Sequence, residues 1–182
     1  CNYNSTTVTI LQSGPAVADF TVSTPFENNT FITVNLTGGF GDYLYQLVYP
    51  DGSVTEYQSS NVFTNLPTGE YYVNIYDVLG DCSPTVIGPI YIINYPNFFT
   101  PNGDGYNETW NIFDLSHQSE AVIYIFDRFG KLLKQLSPAG PGWDGKFNGQ
   151  DLPSTDYWFL VEYFPQNSTE KQQFRAHFSL IR

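Results

Sequence analysis

The side chains best suited to binding a metal ion lie in one short segment, FFTPNGDGYNETW, which runs from Phe98 to Trp110. If Asp104 and Gly105 filled the fifth and sixth positions of a calcium-binding loop, the first position would be Thr100 and the twelfth Asn111. An EF-hand needs an acidic residue at the first position and a bidentate glutamate at the twelfth. The segment is therefore not an EF-hand.

A looser calcium site is an alternative in the same loop. Its oxygen ligands would be Asn102, Asp104, the carbonyl group of Tyr106 and Glu108. Pro101 and the two glycines can form the same tight turn without an ion, because glycine adopts positive φ and Asn and Asp side chains cap nearby amides. We favour the turn without an ion, and calcium is the one cofactor that the sequence suggests.

Residues for catalysis are scarce. His117 lies in the polar stretch LSHQSE, and His177 lies in QFRAHFSL, where alternation places it on the outward face of a strand. No spacing singles out a catalytic pair among the carboxylates Asp127, Asp144, Asp151 and Glu162. The sequence also lacks a phosphate-binding glycine loop and a Cys/His zinc spacing. We therefore predict no catalytic residues and a protein that is not an enzyme.

The elements that position these residues are predicted to be β-strands. Aromatic residues make up 18% of the 182 residues, methionine is absent, and no stretch has the period of an amphipathic helix. Turn sequences such as GGFGD, PDGS and LPTGE separate short runs in the first half. The predicted strands there are Asp19 to Ser23, Thr30 to Leu36, Tyr43 to Tyr49, Thr55 to Gln58, Val62 to Thr64, Tyr71 to Asp77 and Thr85 to Ile93. This number of strands in about 80 residues is typical of an immunoglobulin-like sandwich.

The second half repeats this pattern. Its predicted strands are Trp110 to Leu115, Ala121 to Arg128, Lys131 to Leu136, Tyr157 to Phe164 and Gln172 to Ile181. The sequence LPTGEYYVNIYD, from Leu66, is similar to LPSTDYWFLVEY, from Leu152, and each places a tyrosine at the start of a strand. We predict that Tyr71 and Tyr157 form structural corners by hydrogen bonding to nearby backbone.

These patterns predict an all-β protein with two tandem Ig-like antiparallel β-sandwiches. We assign residues 1–12 to the end of a preceding repeat or a lead-in strand, residues 13–93 to an Ig-like repeat, and residues 94–182 to a second domain. Cys1 and Cys82 either pair, closing a loop of about 80 residues worth roughly 4 kcal/mol, or belong to successive modules as equivalent residues.

The charge distribution excludes several classes of partner. The net charge is -11, and every lysine and arginine lies at or beyond Arg128. Such a chain repels phosphate backbones, so we expect no nucleic-acid partner. No run of about 18 apolar residues is present, so we expect no transmembrane segment of its own.

Two predicted strands in the second half are apolar on both faces, although each sheet of a two-layer sandwich has only one core side. In YWFLVEYF, Tyr157 and Phe159 point one way while Trp158 and Leu160 point the other. The second face is either covered by loops or by the first domain, or it is a docking surface.

Four motifs of the second half resemble one known family. In order and spacing, YPNFFTPNGDGYNETWNIF, IYIFDRFGKLLKQLSP, GWDGKFNGQDLPSTDYWFLVEY and FRAHFSLIR resemble the gliding-motility-associated C-terminal domain, the type B sorting domain of the type IX secretion system. The upstream sequence is similar to the Ig-like repeats that precede this domain in very large surface adhesins of gliding Bacteroidetes. The resemblance implies a secretion and surface-anchoring signal without chemistry.

The resemblance also implies partners and a location. The folded domain would be recognised by type IX translocon components and by a PorP/SprF-type outer-membrane β-barrel, after secretion through the periplasm to the cell surface, where the protein would be associated with the outer membrane. We expect docking through an open edge of the last strand and through Arg175, His177, Arg182, Tyr157, Trp158 and Phe159. The alternative is a calcium-assisted carbohydrate- or adhesion-type binding module, in which Trp143 would stack on sugars. For Trp143 we favour a structural role, as a plug over the end of the sandwich.

Overall fold

The computed structural model describes residues 14–79 and 83–182. The predicted lead-in at residues 1–12 lies outside the described residues, and so do Cys1 and Cys82. The two interpretations of the cysteines therefore stay as they are.

The described residues form thirteen β-strands. Six belong to the first half: β1 (Val17–Val22), β2 (Phe31–Gly38), β3 (Tyr43–Val48), β4 (Val62–Thr64), β5 (Gly69–Asp77) and β6 (Thr85–Ile92). Seven follow: β7 (Phe98–Phe99), β8 (Val122–Phe126), β9 (Leu132–Leu136), β10 (Lys146–Phe147), β11 (Gln150–Asp151), β12 (Thr155–Tyr163) and β13 (Gln172–Leu180). The helical content of the described chain is one 3-10 turn at Phe113–Leu115, and none of its helices has the length and apolarity to span a bilayer. The prediction of an all-β protein is confirmed.

The described residues divide into two compact units. The first unit contains the described residues up to Val22, together with Phe31–Leu66 and the described part of Glu70–Ile90. The second unit contains Tyr91–Arg182 and two short segments from earlier in the chain, residues 23–30 and 67–69.

The first unit contains two three-stranded sheets, with the orders β1-β2-β4 and β3-β5-β6. β1 with β2, β2 with β4, and β3 with β5 are antiparallel. Alternate side chains are buried, as the period of a strand requires; Val34, Leu47 and Val73 are fully buried. The architecture is consistent with a β-sandwich, and the assignment of two Ig-like sandwiches stays a prediction.

The second unit is built on a five-stranded sheet with the order β7-β13-β12-β8-β9. β7 is parallel to β13, and the other pairs are antiparallel. The central strand, β12, buries Tyr157, Phe159, Val161 and Tyr163 on one side of the sheet. These side chains form one wall of the core of the unit.

Two tryptophans complete this core, and both indole N–H groups are satisfied by backbone. Trp110 stacks on Phe178 with ring centroids 3.9 Å apart and donates from Nε1 to the carbonyl of Pro96 at 2.7 Å. Trp143 is buried and donates to the carbonyl of Lys146 at 2.9 Å. Because a buried indole needs a partner for its N–H group, these bonds fix the orientation of both rings.

Two predicted strands are absent from the described chain. Thr55 to Gln58 has no ladder: the Thr55 hydroxyl accepts from the amide of Leu47 at 3.0 Å, and Gln46 donates from its side chain to the carbonyl of Thr55. Backbone pairing with β3 remains at isolated points, since Gln58 and Tyr45 exchange two hydrogen bonds and the Thr55 amide donates to the carbonyl of Leu47. The side-chain hydrogen bonds interrupt the regular ladder between these points. The prediction of a strand at this position was wrong.

The predicted strand Trp110 to Leu115 was also wrong. Trp110 makes one isolated bridge, with Trp143, before the 3-10 turn begins. Asn111, which lies between Trp110 and the 3-10 turn, is fully buried and accepts from the amide of Ile112. Its side chain donates to the carbonyls of Pro138 and Gly140, at 3.1 Å in both cases. This side chain ties the segment to a loop and ends the extended conformation.

A tyrosine at the start of β12 closes a corner. The hydroxyl of Tyr157 donates to the carbonyl of Pro153, four residues upstream, at 2.9 Å, which is the hydrogen bond that defines a tyrosine corner. Tyr71, at the equivalent position of β5, is fully buried, and its ring makes an edge contact with Tyr49. Burial raises the pKa of the Tyr157 hydroxyl.

An earlier segment of the chain contributes one aromatic side chain to the core of the second unit. Phe26 stacks on Phe174 with centroids 4.3 Å apart, meets Tyr163 edge-on at 5.3 Å, and donates from its amide to the carbonyl of Ile93. Residues 94–182 alone would therefore leave part of their own core unfilled.

Tyr157→Phe should destabilise the second unit by about 1 kcal/mol, because it removes one hydrogen bond and leaves the Pro153 carbonyl without that donor. All three tryptophans lie in this unit, so urea unfolding followed by tryptophan emission measures its stability. Tyr124→Phe is the matched control, since the Tyr124 hydroxyl has no hydrogen-bond partner among the described residues. Equal midpoints for both variants would contradict the corner.

Phe26→Ala should lower the free energy of unfolding of the second unit by about 3 kcal/mol, the usual cost of truncating a buried phenylalanine. The same tryptophan signal measures it. Phe129→Ala removes a phenyl group that is 81% exposed, and this control should shift the midpoint little. An unchanged midpoint for Phe26→Ala would show that residues 23–30 do not belong to this core.

Candidate functional site

The outward side of the five-stranded sheet carries a row of large side chains, which we call the outer face. Trp158 on β12 pairs with Phe126 on β8 and with His177 on β13. One row along, Leu160 pairs with Tyr124 and with Arg175 in the same way. Directly opposed residues in antiparallel strands share a face, so this pairing places an aromatic and aliphatic stripe beside two basic side chains.

The stripe is accessible. Trp158 is 43% exposed, whereas Tyr157 and Phe159, which flank it in sequence, are 2% and 1% exposed. Trp158, Leu160 and Phe126 line a groove of about 430 Å³, together with Arg128 and Arg175. An exposed, contiguous apolar surface with a charged rim is characteristic of an interaction site.

The acidic residues on this face are already engaged. Asp156 accepts from the hydroxyl of Ser179 at 2.6 Å, and Glu162 accepts from the side chain of Gln173 at 2.8 Å. Both are cross-strand pairs between β12 and β13. Both carboxylates bond to uncharged donors, and neither forms an ion pair with Arg128 or Arg175 within the described residues.

The turn between β8 and β9 presents a phenyl ring to solvent. Phe129 is 81% exposed, and the Arg128 guanidinium lies 4.8 Å from the centre of its ring. The side chain of Asp127 accepts from the amides of Phe129 and Lys131 at 2.8 and 3.0 Å. The turn is therefore held by two hydrogen bonds to the Asp127 carboxylate, while the phenyl ring at its tip is exposed.

Three of the predicted docking residues lie on the outer face and two do not. Arg175, His177 and Trp158 are exposed there, and the rings of His177 and Trp158 lie 6.3 Å apart. The assignment of docking roles to Tyr157 and Phe159 was wrong, because the period of the strand turns both side chains into the core.

Arg182, the sixth predicted docking residue, is bound within its own unit. Its guanidinium pairs with Asp151 at 2.7 Å and donates to the carbonyl of Gly145 at 3.1 Å, and its amide donates to Ser154. Gly145 has φ +76, and a Cβ there would lie 2.9 Å from the Arg182 side chain. This geometry assigns Arg182 to holding the loop around Gly145.

The predicted open edge of the last strand is partly covered. β7 pairs with β13 at Ser179 and Leu180, and Ile181 donates to the carbonyl of Phe99. Over residues 172–178 no other described strand pairs with this edge. Augmentation of the sheet by a partner strand is therefore restricted to that stretch.

The loop first considered for calcium forms its own hydrogen-bond network. Asp104 accepts from the amide of Tyr106 at 2.8 Å and from the side chain of Asn102 at 2.9 Å, while Glu108 accepts from the amide of Gly105 at 3.0 Å. The bond from Tyr106 and then that from Asn102 lower the pKa of Asp104. A calcium ion would have to replace these bonds, and the described chain contains no cluster of three metal-binding acidic, histidine or cysteine side chains.

A second concavity lies beside the 3-10 turn. Its volume is about 390 Å³, and Thr68, Asn94 and Asp114 contribute its polar lining. Burial raises the pKa of Asp114, against hydrogen bonds from the Asn94 backbone and the Thr68 side chain, which lower it. These hydrogen bonds hold the Asp114 carboxylate in place in the lining of the cavity.

Trp143 has no role in sugar stacking. The ring is 1% exposed and packs edge-on against Tyr157 with centroids 5.1 Å apart. Its burial agrees with the structural role, a plug over the end of the sandwich, which the sequence favours over sugar stacking. Gly142 and Gly145, which flank the tryptophan in the loop, both have positive φ.

Sequence reasoning missed two exposed residues of the β8–β9 turn, Arg128 and Phe129. The letters RFGK between two strand patterns did predict a turn. The signal that could have identified the site is a phenylalanine at a turn position, where small polar residues are the usual choice.

Comparison with known proteins gives a family match within the second unit. Residues 93–178 match the model of the family described as the CHU_C Type IX secretion signal domain. A comparison with the curated proteins gives no match. Among solved structures, the chain is similar to one titled "Biofilm associated protein - BSP domain" at 12% identity and a TM-score of 0.29. That alignment covers 88% of this chain but 29% of the other, and a TM-score of this size does not establish a shared fold.

The family match confirms the predicted resemblance for the second half of the chain and does not extend to the first unit. It covers the sequence from Ile93 to Phe178, which includes the strands β7 to β12 and most of β13. The outer face up to Phe178, the turn at Phe129 and the loop around Trp143 all lie within the matched residues.

Proposed function

We propose that residues 94–182 act as a C-terminal secretion and surface-anchoring signal. In this proposal, type IX translocon components and a PorP/SprF-type outer-membrane β-barrel recognise the folded domain. The first unit is the last Ig-like repeat of a surface adhesin that serves gliding motility, and it is carried to the cell surface as cargo. The outer membrane then retains the protein there.

The observation that carries the proposal is the match of residues 93–178 to a type IX secretion signal domain. The second unit is compact, with its core built from aromatic side chains such as Trp110, Phe159 and Phe178. A signal that is read after folding needs a rigid surface in a fixed geometry, and a densely packed β-core supplies one.

The proposal contains no catalytic step. His177, on the outer face, lies beside Trp158 and opposite it across the strand pair, which is a position for contact with another molecule. Recognition of the folded surface by a barrel and a translocon requires complementary shape and charge only.

The distribution of charge supports recognition through the second unit. All seven basic residues lie at or beyond Arg128, against a net charge of -11 for the whole chain. The basic side chains on the outer face thus stand out against an acidic background, and local contrast of this kind orients partners as they approach.

Surface display of a reporter tests the proposed function. All 182 residues are fused to a fluorescent protein that carries an inner-membrane export signal, and the fusion is expressed in a type IX-competent host with a candidate barrel partner. We expect the reporter at the cell surface, where added protease removes it, and in the periplasm of a translocon mutant.

Two further fusions sharpen the test. A chain that ends before Gln172 lacks β13 and should remain in the periplasm. A fusion of residues 94–182 alone should reach the surface less efficiently than the full chain, because Phe26 is missing from its core. Display that persists in the translocon mutant, or retention of the full chain despite a supplied barrel partner, would refute the proposal.

A further inference from the structure

We propose that the groove on the outer face, together with the Phe129 turn, binds an extended acidic segment of a partner protein that carries an apolar side chain. The inference rests on the proposed function, because it specifies the chemistry of the partner that reads the secretion signal. It assigns Arg128 and Arg175 to the acidic groups, and Trp158, Leu160 and Phe129 to the apolar one.

The groove contains two positively charged side chains. Arg128 and Arg175 both line the groove, and neither forms a salt bridge within the part of the chain that the structure describes, where the two ion pairs are those of Asp151 with Lys146 and Arg182. Arginine side chains bind carboxylates through paired N–H groups. The groove therefore has two such sites open to a carboxylate from outside.

Three carboxylates of the outer face and its adjoining turn accept hydrogen bonds from uncharged groups. Asp127 also lines the groove, but one of its oxygens accepts from two amides of the turn. Asp156 and Glu162 are held by Ser179 and Gln173. None of these three carboxylates forms an ion pair with either arginine within the described residues. Both guanidinium groups are therefore open to pairing with the carboxylates of an acidic segment.

Apolar side chains line the rest of the groove. Trp158 and Leu160 lie in adjacent outward positions of β12, flanked by Phe126 and Tyr124 on β8. Exposed aromatic residues beside arginine are the usual composition of the energetic centre of a protein interface. Phe129, on a turn that is fixed by Asp127, adds a second apolar contact at little cost in conformational entropy.

The shape favours a polypeptide over a membrane surface. A bilayer is flat and would reach the tip of the β8–β9 turn, but Arg175 and Trp158 lie within a strand and line a concavity in the sheet face. A groove of about 430 Å³ has room for a few side chains of an extended segment.

Acrylamide quenching of tryptophan emission measures the proposed binding in the intact chain. Trp110 and Trp143 are buried and Trp158 is exposed, so the quenchable emission comes from the groove. The probe is a short synthetic peptide, capped at both ends, with a central phenylalanine flanked on each side by glutamates. We expect saturable protection from quenching that weakens with added salt, and none from a matched peptide in which lysines replace the glutamates.

Variants of the groove decide whether this binding occurs where we place it. Arg175→Glu should weaken binding of the acidic peptide by at least about tenfold, as loss of a central charged contact does. Lys171→Glu makes the same change of charge away from the groove and should alter binding by less than about twofold. Arg175→Gln, which removes charge without reversing it, serves if Arg175→Glu lowers the melting temperature.

Further measurements distinguish binding of a peptide in the groove from binding elsewhere and from binding to a membrane. Binding of the peptide that is unaffected by Arg175→Glu, or no binding to any acidic peptide, overturns the proposal. Protection by anionic phospholipid vesicles, with none by the peptide, assigns the surface to a membrane instead. Phe129→Ala should weaken peptide binding, whereas Tyr106→Ala, which removes a 76% exposed ring from another loop, should not.

The display assay distinguishes this inference from the function on which it rests. If the wild-type fusion reaches the surface through the translocon and Arg175→Glu does so equally well, the secretion signal stands and the groove is not its recognition site. If the wild-type fusion fails to reach the surface while the purified chain still binds the acidic peptide, the groove is a binding site and the proposed function is wrong.

Discussion

The central position of β12 is the constraint on which the second unit depends. A strand with neighbours on both edges has no freedom in where its side chains go, because the period of two assigns each to one side of the sheet or the other. Val161 and Tyr163 thereby join Phe159 in the core, and Trp158 and Leu160 are placed outside. The same backbone geometry builds the core and displays the apolar stripe, so neither could shift by one residue without the other.

Polar groups hold the loops around this sheet to single conformations. Asn111 connects the segment after Trp110 to the backbone at Pro138 and Gly140, and Arg182 closes on Asp151 and Gly145. Each is a side chain that satisfies backbone carbonyls which would otherwise lose their partners on burial. The unit therefore combines an aromatic interior with a few specific polar anchors, and its surface is as fixed as its core.

Strands such as β3, β5 and β12 could be predicted from sequence. In each of them every second residue is buried, and this alternation appears in the sequence as apolar residues at every second position. Thr55 to Gln58 and Trp110 to Leu115 were misjudged, since hydrogen bonds of the Thr55 and Asn111 side chains, which the apolar pattern does not show, limit the backbone pairing there. The short hairpin of β10 and β11 has too few residues to show a period. For the site, alternation identified Arg175, His177 and Trp158, but the ion pair of Arg182 depends on loops that meet only in three dimensions.

The stacking of Phe26 on Phe174 has a consequence for the order of events during synthesis. One ring leaves the ribosome near the beginning of the 182 residues and the other near their end, so the first waits for almost the whole translation of this region before its partner exists. Until β13 is synthesised, Phe174 and Phe178 are missing from the aromatic core beside Phe159, so the apolar side of β12 stays more exposed. A prematurely terminated chain therefore exposes apolar side chains that the complete chain buries. A secretion system that accepts only the folded domain would reject such a chain.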